Sequence, residues 1–381
     1  MNLPIVGASL ARTASSALAD PNIASDPLSA VILQRRHRQT FILALLSCAL
    51  ALVLLIAAGF GAVPISLYQT LAILASLLGV ELPWNFEAFQ QSVLLTIRLP
   101  RVFLGAIVGA GLAVSGAALQ GLFRNPLADP GLIGVSTGAA LAAATAIVLR
   151  DMIANWLPDI FTIYLVPLAA FGGGLCMTAT GLAIATRSGR TDVTTLLLTG
   201  IALNAISGAA IGVLIFISTD QQLRDLNFWL LGSLSSITWN TLIPIAPLVL
   251  TSSFLLMRFS KVLNALMFGE DDAHLLGYAV QRAKRWIIVL AALTVGVCVA
   301  LTGIIGFVGL VVPHLIRLLQ GGDHRLLFPM SALLGAALLP AADLIARLIV
   351  LPAELPIGIV MSCVGGPFFL WLLVRRHPEQ M

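Results

Sequence analysis

The stretch from Arg98 to Gly138, RLPRVFLGAIVGAGLAVSGAALQGLFRNPLADPGLIGVSTG, decides how this chain folds. Residues 102–123 are uncharged and apolar, and a membrane-spanning helix needs about 20 such residues. The polar, proline-containing stretch 124–130 then interrupts the apolar sequence before a second run begins near Leu132. Because proline ends helices and unpaired backbone is not tolerated against lipid, we expect an ordered turn here, surrounded by protein or a water-filled path. Asn125 can satisfy backbone groups that this turn leaves open.

The composition of the whole chain is that of a membrane protein. Of its 381 residues, 59% are hydrophobic and 10% are charged, whereas a soluble domain carries about 25% charged residues. We therefore predict an all-α polytopic membrane protein, with a further surface helix near Ser66–Val80. The apolar runs predict ten spans: Phe41–Phe60, Val102–Phe123, Leu132–Leu149, Ile160–Thr186, Val193–Thr219, Thr238–Met257, Trp286–Gly303, Gly306–Gln320, Leu326–Ile349 and Leu355–Val374.

The basic residues predict the orientation of these spans. With both termini in the cytoplasm, most of the 21 lysines and arginines fall on the cytoplasmic side, as the positive-inside rule requires. We accordingly expect a polar cytoplasmic tail at residues 1–38, a ten-span permease domain at 39–376 and a short cytoplasmic tail at 377–381. The four cysteines are scattered singly in apolar runs, which indicates small buried hydrophobic residues rather than disulfides.

Several function classes are disfavoured by what the sequence lacks. Its two lysines, Lys261 and Lys284, do not stand in a phosphate-binding P-loop, so we expect no ATP site of that kind. A proton-coupled secondary transporter, which remains an alternative, would need carboxylates in its spans. Only Asp343 meets that condition, and Arg347 lies one helical turn away, which favours an ion pair. A serine hydrolase site at Ser136 would need a strand-to-helix turn, for which this apolar run gives no signal.

The quoted block and five later stretches resemble the FecCD-type permeases, the membrane subunits of ABC importers for iron-siderophores, haem and cobalamin. The resemblance covers about residues 40–376. The later stretches occur in the family's order: LLLTGIALN (196–204), GFVGLVVPHLIRLL (306–319), ADLIARL (342–348), ELPIGIV (354–360) and GGPFFLWLLVRR (365–376).

This resemblance implies a fold and a set of partners. It implies ten spans per subunit, with spans 2–5 and 7–10 forming an inverted repeat, and a homodimer of permeases. The partners implied are two ABC ATPase subunits, which hold ATP and Mg, and a periplasmic binding protein, in the bacterial inner membrane. The permease itself would be no enzyme, would bind no cofactor and would hold no metal.

The resemblance also assigns roles to particular residues. Asn125 and Leu127 match the family's cytoplasmic gate, and a plain tight turn is the alternative. A second gate element would lie at Asp192, Val193 and Thr194, where the family more often has small hydroxyl residues. On the outer face, Arg98, Arg101 and Arg347 match arginines that receive glutamates of the binding protein, with interfacial snorkelling as the alternative.

The segment Lys261–Arg285 is the longest predicted cytoplasmic connector. Its apolar residues indicate two short amphipathic helices around Gly269, and the family's ATPase-coupling helices lie at this place. A solvated surface loop is the alternative. The residues assigned to ATPase coupling are Leu263, Leu266, Met267, Gly269, Glu270, Asp271, Asp272, Leu275, Leu276 and Gly277.

The cargo is predicted from one connector. TDQQLRDLNFWLLGSLSS, residues 219–236, looks most like haem importers, so we expect haem as the transported cargo. A ferric siderophore or cobalamin is the alternative.

Overall fold

The computed structural model describes residues 27–150, 152, 158–350 and 353–376. The predicted tail at 377–381 lies outside the described residues, as do residues 1–26 of the predicted tail at 1–38. Residues 27–38, which we expected to belong to that tail, are helical and continue into the first span. The chain divides into two compact units, Met1–Cys48 and Ala49–Met381.

The described part of the chain is almost entirely helical. The helices are α1 Pro27–Gly59, α2 Leu67–Ser76, α3 Ala88–Val93, α4 Leu99–Leu122, α5 Val135–Val148, α6 Asp159–Ala185, α7 Val193–Ile217, α8 Asp220–Leu231, α9 Trp239–Met257, α10 Ser260–Leu266, α11 Glu270–Leu275, α12 Val280–Thr302, α13 Val308–Gln320, α14 His324–Ile349 and α15 Ile357–Arg376. A π-helical turn, Leu94–Arg98, joins α3 to α4, and a 3-10 turn, Pro130–Ile133, precedes α5.

The helices agree with the ten predicted spans. Seven described helical stretches are long and apolar enough to cross a bilayer, and α5, α13 and part of α15 are shorter apolar helices at the remaining three predicted places. A helix such as α5, with 14 residues, is about 21 Å long, less than the bilayer's hydrocarbon core of about 30 Å. The predicted break near Gly303 is present, since α12 ends at Thr302 and α13 begins at Val308.

Helix α4 lies at the centre of the second unit. It packs against α9, α12, α13 and α14, and nearly all of its residues are buried. Glycines make this packing possible, because a Cβ at Gly116 would lie 1.9 Å from the carbonyl oxygen of Gly309 and one at Gly109 would lie 2.1 Å from that of Gly335. Small residues at such crossings let membrane helices approach closely.

Three features differ from the sequence predictions or were missed by them. The second span begins earlier than Val102, because α3, the π-helical turn and α4 form one continuous apolar stretch from Ala88 to Leu122. The connector at 219–236 contains helix α8, which Thr219 and Gln222 begin with a capping box. Among the four free cysteines only Cys298 is buried, so the prediction that all are buried is wrong for Cys48, Cys176 and Cys363.

Candidate gate, coupling and docking sites

The predicted gate turn, residues 124–130, is an ordered turn at the end of α4. The side chain of Asn125 accepts a hydrogen bond from the backbone N–H of Leu127 at 3.0 Å. It therefore satisfies a backbone group of the turn, as we expected. Asn125 is exposed and Leu127 is partly exposed. Asp129 then begins the 3-10 turn by accepting from the N–H of Gly131 at 2.7 Å. The turn therefore presents two of the predicted gate residues on its surface.

The predicted gate connector, Asp192–Thr194, lies where α7 begins. Asp192 is the N-cap of this helix, and its carboxylate accepts from the N–H of Thr195 at 2.7 Å and from the Thr195 hydroxyl at 2.5 Å. These hydrogen bonds, the hydroxyl's first, hold the pKa of Asp192 below its ordinary value. The carboxylate is therefore ionised at neutral pH, where it caps the helix and complements its dipole.

A two-residue hairpin precedes this connector. Strand β1, Thr186–Arg187, pairs antiparallel with β2, Arg190–Thr191. Ser188 and Gly189 between them both have positive φ, as a type I′ turn requires. The hairpin thus ends α6 and returns the chain to α7 in few residues.

The coupling segment, Lys261–Arg285, contains α10 and α11 as two short helices around Gly269, as predicted. Its apolar residues divide between two sides. Leu263 and Leu266 are 0% and 2% exposed and hold α10 to the rest of the chain. Those two leucines were expected to meet the ATPase, but a residue buried within its own chain is not available for that contact. The exposed apolar residues are Met267, Phe268, Leu275 and Leu276, and the sequence prediction missed Phe268.

The three predicted docking arginines lie together, but they are buried. Arg98, Arg101 and Arg347 are 4%, 7% and 6% exposed. Arg101 donates from Nε and Nη2 to Asp343 at 2.8–3.1 Å and from Nη1 to Glu354 at 2.9 Å. Nε of Arg347 lies 3.1 Å from Oδ2 of Asp343, so the ion pair expected between these two residues is present. We call these three arginines, Asp343 and Glu354 the arginine cluster.

The end of α1 gives two of these arginines their other partners. Arg98 donates to the carbonyl oxygens of Ala58, Gly59 and Val63, the first at 3.1 Å. Arg347 donates to Ala57 at 3.1 Å and to Phe60 at 3.4 Å. The last four carbonyls of a helix have no partner within it, and cations are favourable there. Arg98 and Arg101 are therefore both bound within the chain, by backbone carbonyls and by carboxylates respectively.

The arginine cluster and the predicted gate turn lie at opposite ends of α4. Arg98 and Arg101 stand at the beginning of this helix, and the turn follows its last residue, Leu122. With 24 residues, α4 is about 36 Å long, which is the scale of a bilayer. The coupling segment lies at the gate-turn end, because a Cβ at Gly121 would lie 3.2 Å from Leu263.

The hydrolase alternative is not supported by the backbone. Ser136 lies in the first turn of α5, which follows the 3-10 turn Pro130–Ile133 rather than a strand, so the elbow that exposes a nucleophilic serine is not formed. In the described ranges, no group of three His, Cys, Asp or Glu side chains is placed to hold a metal ion.

The family model named FecCD transport family matches residues 49–375. The chain belongs to the FecCD transport family. Its members are permease subunits of ABC importers, so this chain is an ABC importer permease and an integral membrane protein, as the resemblance implied.

Individual FecCD relatives agree with this assignment and differ in cargo. The chain is 46% identical over 299 residues to the hemin transport system permease HmuU of Yersinia pestis, covering 78% of this chain and 88% of that one. It is 45% identical over 287 residues to the cobalamin import permease BtuC of Halobacterium salinarum, covering 75% and 74%. A solved structure described as an inward-facing metal-chelate type ABC transporter matches 88% of this chain and 99% of its own, with 31% identity and a TM-score of 0.76.

Proposed function

We propose that this chain is the membrane subunit, present in two copies, of an importer that moves haem across the bacterial inner membrane. Two ABC ATPase subunits would hold ATP and Mg, and a periplasmic binding protein would deliver the cargo. The permease would alternate between two accessible states and would make or break no bond. Both termini and the coupling segment would lie in the cytoplasm, and the arginine cluster would face the periplasm.

The observation that carries this proposal is the separation of three sites along α4. An importer needs a surface for its binding protein on one side of the membrane and a gate and an ATPase surface on the other. The arginine cluster stands at the start of α4, and the predicted gate turn and coupling segment stand at its end. Arg101, whose Nη1 binds the partly exposed Glu354, suits docking of a carboxylate. The exposed Met267, Phe268, Leu275 and Leu276 suit an apolar groove on the ATPase.

We place the second copy against helix α7. It begins at the predicted gate connector, and only Leu196, Gly200 and Ser207 are buried along its 25 residues. Its exposed apolar side chains include Leu198, Ile201 and Ile206. A second permease facing α7 would enclose a path that begins beside the gate residues of both copies.

Haem is the proposed cargo because the chain is 46% identical to a hemin permease and its 219–236 connector looks most like those of haem importers. Cobalamin is the second candidate, because the similarity to a cobalamin permease is almost as high, at 45%. Both are large, partly apolar metal chelates, so an apolar path with few charges suits either. A ferric siderophore is the third.

Cargo and class are tested together by uptake into proteoliposomes that contain the permease and an ABC ATPase from the same organism. ATP is enclosed, and binding protein loaded with haem, cobalamin or a ferric siderophore is added outside. We expect ATP-dependent accumulation of haem above the other two. Accumulation of cobalamin or siderophore instead would move the assignment to that cargo. Uptake by the permease alone, driven by a proton gradient, would contradict the ABC mechanism for this chain.

A further inference from the structure

A buried lysine joins the coupling segment to the hairpin before the gate connector. Lys284, in the first half of α12, is 2% exposed. Its ammonium donates to the backbone carbonyl of Thr191 at 3.2 Å and forms an ion pair with Glu270. Glu270 is the first residue of α11, and Thr191 is the last residue of β2. One side chain therefore holds an element of the coupling segment and the residue directly before Asp192.

Gln281, almost one helical turn before Lys284, makes a second connection between α11 and β2. Its side-chain oxygen accepts from the backbone N–H of Thr191 at 2.9 Å, and its amide nitrogen donates to Glu270 at 3.4 Å. Both polar backbone groups of Thr191 are thus bound by side chains of α12. Thr191 is itself 2% exposed, so water does not compete for these bonds, and a displacement of α11 and α12 acts directly on β2.

A second polar connection leads from α10 towards the gate turn. The oxygen of the Asn264 side chain accepts from the N–H of His324 at 2.9 Å and lies 2.8 Å from its ring Nδ1. The Asn264 amide nitrogen donates to Asp323 at 2.7 Å. The His324 ring packs against Gly121, where an added Cβ would lie 2.4 Å from Nε2.

Gly121 also accepts one of the backbone hydrogen bonds that hold the gate turn to the end of α4. The N–H of Arg124 donates to the carbonyl of Gly121 at 3.3 Å, and the N–H of Asn125 donates to that of Gln120 at 3.1 Å. The second connection therefore ends at Gly121, one of the two residues whose carbonyl groups bind the gate turn.

We propose that Lys284 and Asn264 are positioning residues that carry displacement of the coupling segment to the gate, Lys284 to the gate connector and Asn264 to the gate turn. This rests on the proposed function, in which an ATPase moves the coupling segment. The segment then has two working sides: the exposed apolar side chains contact the ATPase, and the polar side chains opposite hold the two gate elements. An ion pair buried like that of Lys284 adds little net stability compared with apolar packing, whereas its directed hydrogen bonds fix how the joined elements move together.

The test compares variants in proteoliposomes with the ATPase and loaded binding protein, and measures cargo accumulated per ATP hydrolysed. Lys284→Met keeps the side chain's length and removes its polar connections. Asn264→Leu does the same for the second connection. Arg258→Met removes an exposed positive charge at the end of α9, outside the coupling segment, and serves as the control. Assembly with the ATPase is measured separately by co-purification.

We expect Lys284→Met and Asn264→Leu to assemble with the ATPase and hydrolyse ATP, with transport per ATP lowered about tenfold, within the usual range of coupling between sites. Lys284→Arg keeps the charge and the hydrogen-bond donors, so it should retain most of the transport per ATP hydrolysed. Arg258→Met should retain it as well. A residue with a merely structural role would lower transport and hydrolysis together. An unchanged transport-to-hydrolysis ratio in Lys284→Met and Asn264→Leu overturns the inference.

Glu270→Gln keeps the test decisive if Lys284→Met fails to assemble. Glu270, which the sequence assigned to ATPase coupling, binds Lys284 within its own chain. The change replaces its partly exposed carboxylate by an amide of the same shape, and we expect a lower ratio with assembly retained. An unchanged ratio overturns the role of Lys284. If the unaltered complex shows no ATP-driven uptake of any cargo, the proposed function fails and the inference fails with it, whereas normal coupling in the variants overturns the inference alone.

Discussion

Arg101 binds Glu354 through a single nitrogen, Nη1, which lies 2.9 Å from both oxygens of the carboxylate. Its other two nitrogens are taken by the buried Asp343. The Glu354 side chain is 44% exposed and that of Asp343 only 2%. Of the two carboxylates on Arg101, Glu354 is therefore the one that an incoming carboxylate of a docking protein can replace.

Glu354→Gln should strengthen capture of the binding protein. The change removes the charge that occupies Nη1 of Arg101 and leaves the side chain's shape. A partly exposed ion pair is worth about 1 kcal/mol or less, so we expect the Kd for the binding protein to fall by up to about fivefold. The measurement uses the permease in nanodiscs immobilised on a sensor surface. Glu81→Gln, an exposed carboxylate between α2 and α3, is the control and should leave Kd unchanged. Weaker capture by Glu354→Gln would argue against docking at Arg101.

Arg101→Met should destabilise the permease itself. The change leaves Asp343 buried with Arg347 alone, and breaking a buried ion pair costs about 3–5 kcal/mol. We expect a lower thermal unfolding midpoint in detergent, with partial recovery when Asp343→Asn is added. For the same reason, the double change Arg98→Glu with Arg101→Glu would disrupt the fold as well as the surface. A midpoint equal to that of the unaltered protein would contradict the internal role of Arg101.

Gly116→Ala should separate α4 from α13. The added Cβ would lie 1.9 Å from the Gly309 carbonyl oxygen, and overpacking of this kind costs about 1–3 kcal/mol or more. Gly172→Ala on α6 is the matched control, because no atom lies within 4 Å of its added Cβ, and replacing a helical glycine by alanine favours the helix. Thermal unfolding in detergent should show a lower midpoint for Gly116→Ala only. Equal midpoints would contradict the close crossing.

Asp192→Ala should loosen the first turn of α7, and Asp192→Asn should preserve it, since asparagine also caps helices. The measurement is hydrogen exchange of residues 193–197. The pKa of Asp192 is lowered in the fold, so its contribution is complete above the ordinary carboxyl pKa and is lost only as the pH falls through the lower, folded value. The protection of these amides, expressed relative to their intrinsic exchange rates, should therefore be the same at pH 6 and at pH 8. A loss of protection across that range would contradict the assigned cap.

Local chemistry explains which features could be predicted from the sequence. The gate turn, the break after Thr302 and the apolar helices follow from prolines, glycines and apolar runs within a few residues of each other. The ion pairs of Arg101 could not be predicted, because its partners Asp343 and Glu354 are 242 and 253 residues away in the chain. The burial of one side of α10 could not be predicted for the same reason, since Leu263 packs against Gly121, which is distant in the sequence. The inverted repeat and the inner-membrane location stay predictions.

We propose that this permease imports haem in an ATP-driven complex. The most direct measurement is haem accumulation in proteoliposomes that hold the permease and its ATPase, with ATP inside and haem-loaded binding protein outside. We predict accumulation that needs ATP and binding protein and that exceeds uptake of cobalamin or a ferric siderophore under the same conditions. Haem uptake that is unchanged without ATP, or driven by a proton gradient through the permease alone, would contradict the proposed function.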